Sequence, residues 1–213
     1  MVSMEIEQDK ILITGGSGMV GTAMKSVLPG ACYPTRSELD LLSEQEVESY
    51  IKSGNFEAVI HLAAKVGGVK ANSDFVGDFY DENIRMNTNV LRSCAINNVP
   101  KVISFLSTCV YPDKATYPLT ENQLHAGEPH PSNYGYAYAK RMMEVQSRSY
   151  RQQYNSNFIC AIPNNLYGEN DNFDLVNGHV IPALMRRIWE AKLSGKTEVE
   201  VWGDGTPLRE FTY

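Results

Sequence analysis

Short apolar runs alternate with longer amphipathic stretches along this chain. The β-rich run Lys10-Ile11-Leu12-Ile13-Thr14 leads into glycines and then into apolar positions at helical spacing, Met19, Val20, Ala23 and Val27, predicting a strand, a tight turn and a helix. Ala58-Val59-Ile60-His61-Leu62, Lys101-Val102-Ile103-Ser104-Phe105-Leu106 and Phe158-Ile159-Cys160-Ala161-Ile162 predict further short buried strands, with helices over 44–53, 82–97 and 134–153 between them. This alternation is that of an α/β protein, a Rossmann-type doubly wound parallel sheet. After Pro163 the texture changes: Asn, Gly and Asp dominate 164–178, a helix is expected over 180–193, and Glu198-Val199-Glu200-Val201-Trp202 has the alternation of a strand. A last strand-like run, Leu208-Arg209-Glu210-Phe211-Thr212, has nothing behind it to close a structure. The chain therefore divides into 8–165 and a shorter part, 166–213, that reads as cut short at Tyr213.

Composition narrows the class. With 213 residues, 43% hydrophobic and 21% charged, the chain is long enough for a sizeable core. The 19 basic and 25 acidic residues leave a net charge of -6 and form no basic tract, so no nucleic-acid partner is expected and any anion site is local. Apolar stretches fall far short of a membrane span and the start Met1-Val2-Ser3-Met4-Glu5 has no signal-peptide core, which predicts a cytoplasmic protein without a membrane partner. Cys32, Cys94, Cys109 and Cys160 lack CxxC spacing, so neither a disulfide framework nor a structural metal site is expected.

The candidate chemistry starts at the first turn. Gly15-Gly16-Ser17-Gly18-Met19-Val20-Gly21 is a GxxGxxG sequence between strand and helix, where glycine lets the backbone approach a pyrophosphate and the helix N-terminus offers free N–H groups. An NAD site places a carboxylate about 20 residues on, and an NADP site an arginine. The chain has Pro34-Thr35-Arg36-Ser37 there, so Arg36 points to NADP(H). Residues 8–165 are then the NADP-binding Rossmann domain, and 166–213 the start of a smaller C-terminal substrate-binding lobe.

Tyr136-Ala137-Tyr138-Ala139-Lys140 is a YxxxK motif in a helix. The i, i+4 spacing puts hydroxyl and ammonium on one face, where the cation is expected to lower the phenol and make Tyr136 a proton donor to a carbonyl under reduction. A tyrosine in the core beside a snorkelling lysine would give the same spacing. The strand ending at Ser107-Thr108-Cys109 supplies a hydroxyl at the carboxyl edge, where such sheets bind ligands. On a strand Ser107 and Cys109 are i and i+2, so they point the same way.

Longer words extend the pattern: Ala64-Lys65-Val66-Gly67-Gly68, Ser107-Thr108-Cys109-Val110-Tyr111-Pro112, Asn164-Asn165-Leu166-Tyr167-Gly168, Asp171-Asn172-Phe173, Gly178-His179-Val180-Ile181-Pro182-Ala183-Leu184 and Val201-Trp202-Gly203-Asp204-Gly205. With the glycine turn and YxxxK, the chain resembles the GDP-L-fucose synthases of the extended short-chain dehydrogenase/reductases, from about Lys10 to Tyr213. The resemblance implies NADPH-dependent 3,5-epimerisation and 4-reduction of GDP-4-keto-6-deoxy-D-mannose. Ser107, Tyr136 and Lys140 would be the reduction triad, with Cys109 and His179 exchanging protons on the carbons flanking the ketone. It implies further cofactor contacts: Met19 and Val20 in the turn, Asp40 and Leu41 by the adenine, Leu62, Ala63 and Ala64 beneath the ribose, and Pro163, Asn164, Asn165, Leu166 and His179. Arg187, Trp202 and Arg209 match substrate contacts to the GDP-sugar, and a homodimer through the helices of 82–97 and 134–153 is the family habit. Asn164 departs from the family's usual threonine. Two alternatives stay open: another nucleotide-sugar epimerase or dehydratase, and a non-catalytic NADP-binding module.

Overall fold

The computed structural model describes residues 6–175, 178–201, 203–206 and 208–213. Its centre is a parallel sheet of β1 (Ile11–Thr14), β2 (Ala58–His61), β3 (Lys101–Phe105) and β4 (Asn157–Ala161), in that spatial order. Leu12 pairs with Val59, Val59 with Val102 and Val102 with Phe158, so one apolar row crosses the sheet. On the far side of β1, Cys32 makes a parallel bridge to Leu12. The chain thus leaves β1 in one direction and returns to its other side at β2. The reversal opens a crevice between the carboxyl ends of β1 and β2, where such sheets take ligands.

Helices cover both faces. Ile11, Ile13, Ala58 and Ile60 pack with Met24 and Leu28, brought by α1 (Met19–Val27) and the residue after it. The opposite row, Leu12, Val59, Val102 and Phe158, packs with Val47 and Ile51 of α2 (Glu44–Gly54), Val90, Leu91 and Cys94 of α4 (Val76–Ile96), and Met143 of α5 (Tyr134–Tyr154). Each fully buried apolar side chain of this kind contributes about 1.5–3 kcal/mol. Gly135 lets α5 cross α4 closely, since a Cβ there would lie within 2.4 Å of the Val76 carbonyl oxygen.

The differences from the sequence reading have local causes. The third helix of the pattern begins at Val76 rather than 82, because Phe79 extends the buried stripe of Asn83, Asn87 and Val90. A short helix α3 (Val69–Asp74) precedes it where none was expected. The strand expected over 198–202 is not formed by residues 198–201, and Trp202 lies outside the described residues. Alternating Glu and Val specify two faces, but a ladder needs a neighbouring backbone, and no described strand pairs there. The run at 208–212 is a strand only over β6 (Phe211–Thr212), which pairs in parallel with β5 (Asn165–Leu166). The helix expected over 180–193 is α6 (Val180–Leu193). Among the described residues no helix is long and apolar enough to cross a membrane.

Candidate active site

The glycine turn lies at the mouth of the crevice. Gly15 has φ +77°, and a Cβ on it would sit 2.7 Å from the Ala63 nitrogen, so the turn and the segment after β2 touch through bare backbone. Gly21 presses α1 against the same turn, where a Cβ would be 2.3 Å from the Gly15 carbonyl oxygen. Gly18 caps α1 without a side-chain hydrogen bond, and the first turn holds no acid, leaving the amides of Met19 and Val20 available to an anion. These features fit a dinucleotide pyrophosphate.

Arg36 is exposed and begins a turn four residues after the Cys32 bridge. The nearby acid, Glu38, accepts hydrogen bonds from the backbone N–H and the hydroxyl of Thr35, both at 2.8 Å. These bonds hold its carboxyl below the usual range. Asp40 accepts from the Leu42 amide at 3.1 Å. Leu41 is buried in the core, and its carbonyl accepts from Asn89 at 2.9 Å, so only its main chain remains for a ligand. Leu62, Ala63 and Ala64 leave β2 along the glycine turn, the Leu62 amide donating to the Thr14 carbonyl at 3.3 Å.

β3 ends at Phe105, two residues before Ser107, whose hydroxyl accepts from the Cys109 amide at 3.4 Å and starts a single 3-10 turn over Thr108–Val110. Ser107 and Cys109 therefore do not share a strand face as the spacing suggested. The local side-chain-to-backbone bond competes with the ladder and ends it. Cys109 is nevertheless near the tyrosine: burial pushes the Tyr136 phenol up, the thiol adds to the rise, and a hydrogen bond with Ser107 opposes it. Lys140 is 1% exposed, and its Nζ donates to the Phe105 carbonyl at 2.7 Å, 5.9 Å from the Tyr136 ring centre. Burial draws the ammonium down to about 8, against a small opposing pull from Cys160. The expected lowering of Tyr136 by Lys140 is thus reversed, because desolvation of the phenol dominates.

The remaining candidates lie around this cluster. Pro163 and Asn164 follow the carboxyl end of β4, and the buried Oδ1 of Asn164 has no hydrogen-bond partner among the described residues, an acceptor open to a ligand's N–H. Asn165 donates to the Glu210 carbonyl at 2.9 Å and, with Leu166, forms β5. His179 caps α6, its Nδ1 4.0 Å from Asp171, and among the described residues no hydrogen bond or ion pair joins it to Ser107, Cys109 or Tyr136. Arg187 is half-buried and donates to the Leu175 carbonyl at 3.2 Å, whereas Arg209 is exposed and donates to its neighbour Leu208.

Polar residues unnoticed in the sequence also shape the site. Asn83 closes a two-way bond with Lys65, Oδ1 accepting from its amide at 2.9 Å and Nδ2 donating to its carbonyl at 3.0 Å. Asn72 donates to the carbonyls of Gly67 and Gly68. Thr14, His61 and Asn87 form a chain beneath the crevice. One sequence signal existed: Asn83 and Asn87, four apart, sit in the apolar stripe of a helix where packing alone would select hydrophobes.

The sequence pattern of the NAD dependent epimerase/dehydratase family matches residues 11–213. GDP-L-fucose synthase of Dictyostelium discoideum is 43% identical over 210 residues, covering 95% of this chain and 65% of its own length. The Escherichia coli (strain K12) enzyme of the same name is 38% identical over 213 residues, 98% of this chain and 66% of its own. The chain spans about two thirds of the length of these curated relatives. The crystal structure of a GDP-L-fucose synthetase from Naegleria fowleri bound to NADP superimposes with a TM-score of 0.86 at 40% identity, over 95% of this chain and 68% of that one. A glycine turn at a switch point, a buried YxxxK lysine and a strand-end serine thus meet in a chain that belongs to the NAD dependent epimerase/dehydratase family and is related, within it, to the GDP-L-fucose synthases.

Proposed function

We propose that the protein carries out the NADPH-dependent 3,5-epimerisation and 4-reduction of GDP-4-keto-6-deoxy-D-mannose to GDP-L-fucose. The observation that carries this reading is the grouping of Ser107, Cys109, Tyr136 and Lys140 at the carboxyl edge that also holds the glycine turn. The relatives named above support it. NADPH supplies the hydride. Tyr136, with its high proton affinity and its bond to Ser107, is suited to hold a proton until the C4 oxygen takes it. Cys109 is the thiol placed to exchange protons at the carbons activated by the C4 ketone, with His179 as its counterpart across the sugar. Asn164 would receive the nicotinamide amide, and Arg187, Trp202 and Arg209 the GDP, in a substrate lobe beginning after residue 165.

We further place the protein in the cytoplasm as a homodimer through α4 and α5. Tyr80 and Tyr134, 43% and 50% exposed on those helices, support a contact there. The enzymatic reading is tested by incubating protein, NADPH and the keto-sugar in deuterated water. One NADPH consumed per GDP-L-fucose formed, with deuterium at C3 and C5, is expected. Turnover without net NADPH loss would assign an epimerase or dehydratase that regenerates its cofactor.

A further inference from the structure

A buried polar chain runs beneath the crevice, from the glycine turn to the helix that carries Lys140. Thr14 ends β1, His61 ends β2, Asn87 lies within α4, and Ala139 precedes Lys140 in α5. The three side chains are closed to solvent, at 1%, 0% and 0% exposure. Thr14 Oγ1 is 2.7 Å from His61 Nδ1, His61 Nε2 is 3.0 Å from Asn87 Oδ1, and Asn87 Nδ2 is 3.3 Å from the Ala139 carbonyl oxygen. At the other end the Ala63 amide donates to Thr14 Oγ1 at 3.4 Å.

The direction of every bond follows from its ends. A carbonyl only accepts, so Asn87 turns Nδ2 toward Ala139 and Oδ1 toward His61; the flipped amide would set two acceptors against each other. Oδ1 only accepts, so the proton of a neutral His61 is on Nε2 and its Nδ1 is bare. Thr14 then donates to Nδ1 and keeps a lone pair for the Ala63 N–H. Burial, and after it the charge of Lys140, pulls His61 down to about 3 against the Asn87 bond, which keeps the ring neutral at physiological pH. Such a chain is costly to bury unless each member is satisfied, and here each is.

We infer that Thr14, His61 and Asn87 are positioning residues that tie the backbone after β2, where the cofactor ribose would lie, to the turn of α5 bearing Lys140. Cofactor affinity then depends on Asn87, although Asn87 itself belongs to α4 and lies beyond His61 from the glycine turn. This rests on the NADP reading of the crevice, and wild-type protein that fails to bind NADPH would refute that reading without touching the bond directions.

The test joins binding with spectroscopy, well below the melting temperature. NADPH fluorescence titration should show about tenfold weaker binding for both Thr14→Val and Asn87→Ala, with the double variant no weaker than the poorer single one. Thr14→Ser, which keeps the hydroxyl, should recover most of the loss. A lowered melting temperature with wild-type affinity, or losses that multiply in the double variant, would reduce the three residues to ordinary core packing. Should a variant not fold, the wild type decides: 15N NMR of His61 should give a neutral ring protonated at Nε2 from pH 5 to 9, and protonation at Nδ1 or titration near neutrality would overturn the proposal.

Discussion

Tyr136 and Lys140 are both moved by burial toward their neutral forms, the phenol upward and the ammonium down to about 8 from 10.5. Between about pH 8 and 10.5 the folded chain therefore binds fewer protons at Lys140 than the unfolded chain, so this residue makes stability rise with pH across that window. Urea denaturation at pH 7.5, 9 and 10 should show that the gap between wild type and Lys140→Met shifts in favour of the wild type as pH increases. A gap that is constant with pH would mean that Lys140 keeps its ordinary proton affinity. The same residues separate the two halves of the proposed reaction. In Tyr136→Phe, NADPH oxidation should fall by at least about a hundredfold while substrate protons still exchange with deuterated water. In Cys109→Ser, exchange should fall instead, because a hydroxyl is far less acidic than a thiol. Deuterium NMR alongside NADPH absorbance distinguishes them, and unchanged exchange in Cys109→Ser would return the thiol to a packing role.

At the scale of elements, the strand, turn and helix of the first unit are held by contacts between bare backbone. A Cβ at Gly21 would fall 2.3 Å from the Gly15 carbonyl and 2.5 Å from the Gly16 Cα, neither of which is a flexible side-chain end. Gly21→Ala should therefore lower stability by about 1–3 kcal/mol, as overpacking does elsewhere, and weaken NADPH binding in the same variant. Thermal denaturation and fluorescence titration check both, and a variant stable as wild type would show that α1 can slide away from the turn. The four sheet strands were legible because each is a short apolar-rich run bounded by turn residues, although only β1 and β2 are buried along their whole length and β4 leaves Ile159 exposed. α2, α5 and α6 were legible from their spacing. The Cys32 bridge was not, since one pairing residue leaves no periodic trace, and the strand expected over 198–202 was a pattern of faces without a partner. That Tyr136 and Lys140 lie side by side on one helix was legible, but not their electrostatics. Tyr136 and Lys140 are close by helical spacing, yet the proton affinity of each is set first by burial, and then by Cys109 and Ser107 for the phenol and Cys160 for the ammonium, which come from elsewhere in the chain.

On the scale of the whole molecule, a net charge of -6 opposes any anionic ligand, so attraction to a dinucleotide has to be local. The glycine turn supplies backbone dipoles that serve NADH and NADPH alike. We propose that Arg36 tells them apart, since Glu38, the acid that could otherwise read a ribose hydroxyl, is occupied by the backbone and hydroxyl of Thr35. A charge-assisted hydrogen bond contributes about 1.5–3 kcal/mol, so NADPH should bind roughly ten- to a hundredfold more tightly than NADH at low salt. Because Arg36 is exposed, added salt should screen this advantage, and the ratio of the two dissociation constants should shrink between about 20 and 300 mM NaCl. Arg36→Ala should bring the ratio close to one at every salt concentration by weakening NADPH while leaving NADH little changed. Fluorescence titrations of both cofactors across the salt series measure all three quantities. Equal affinities in the wild type would remove Arg36 from the site, whereas a salt-independent preference would mean that the 2′-phosphate is held by buried groups other than Arg36.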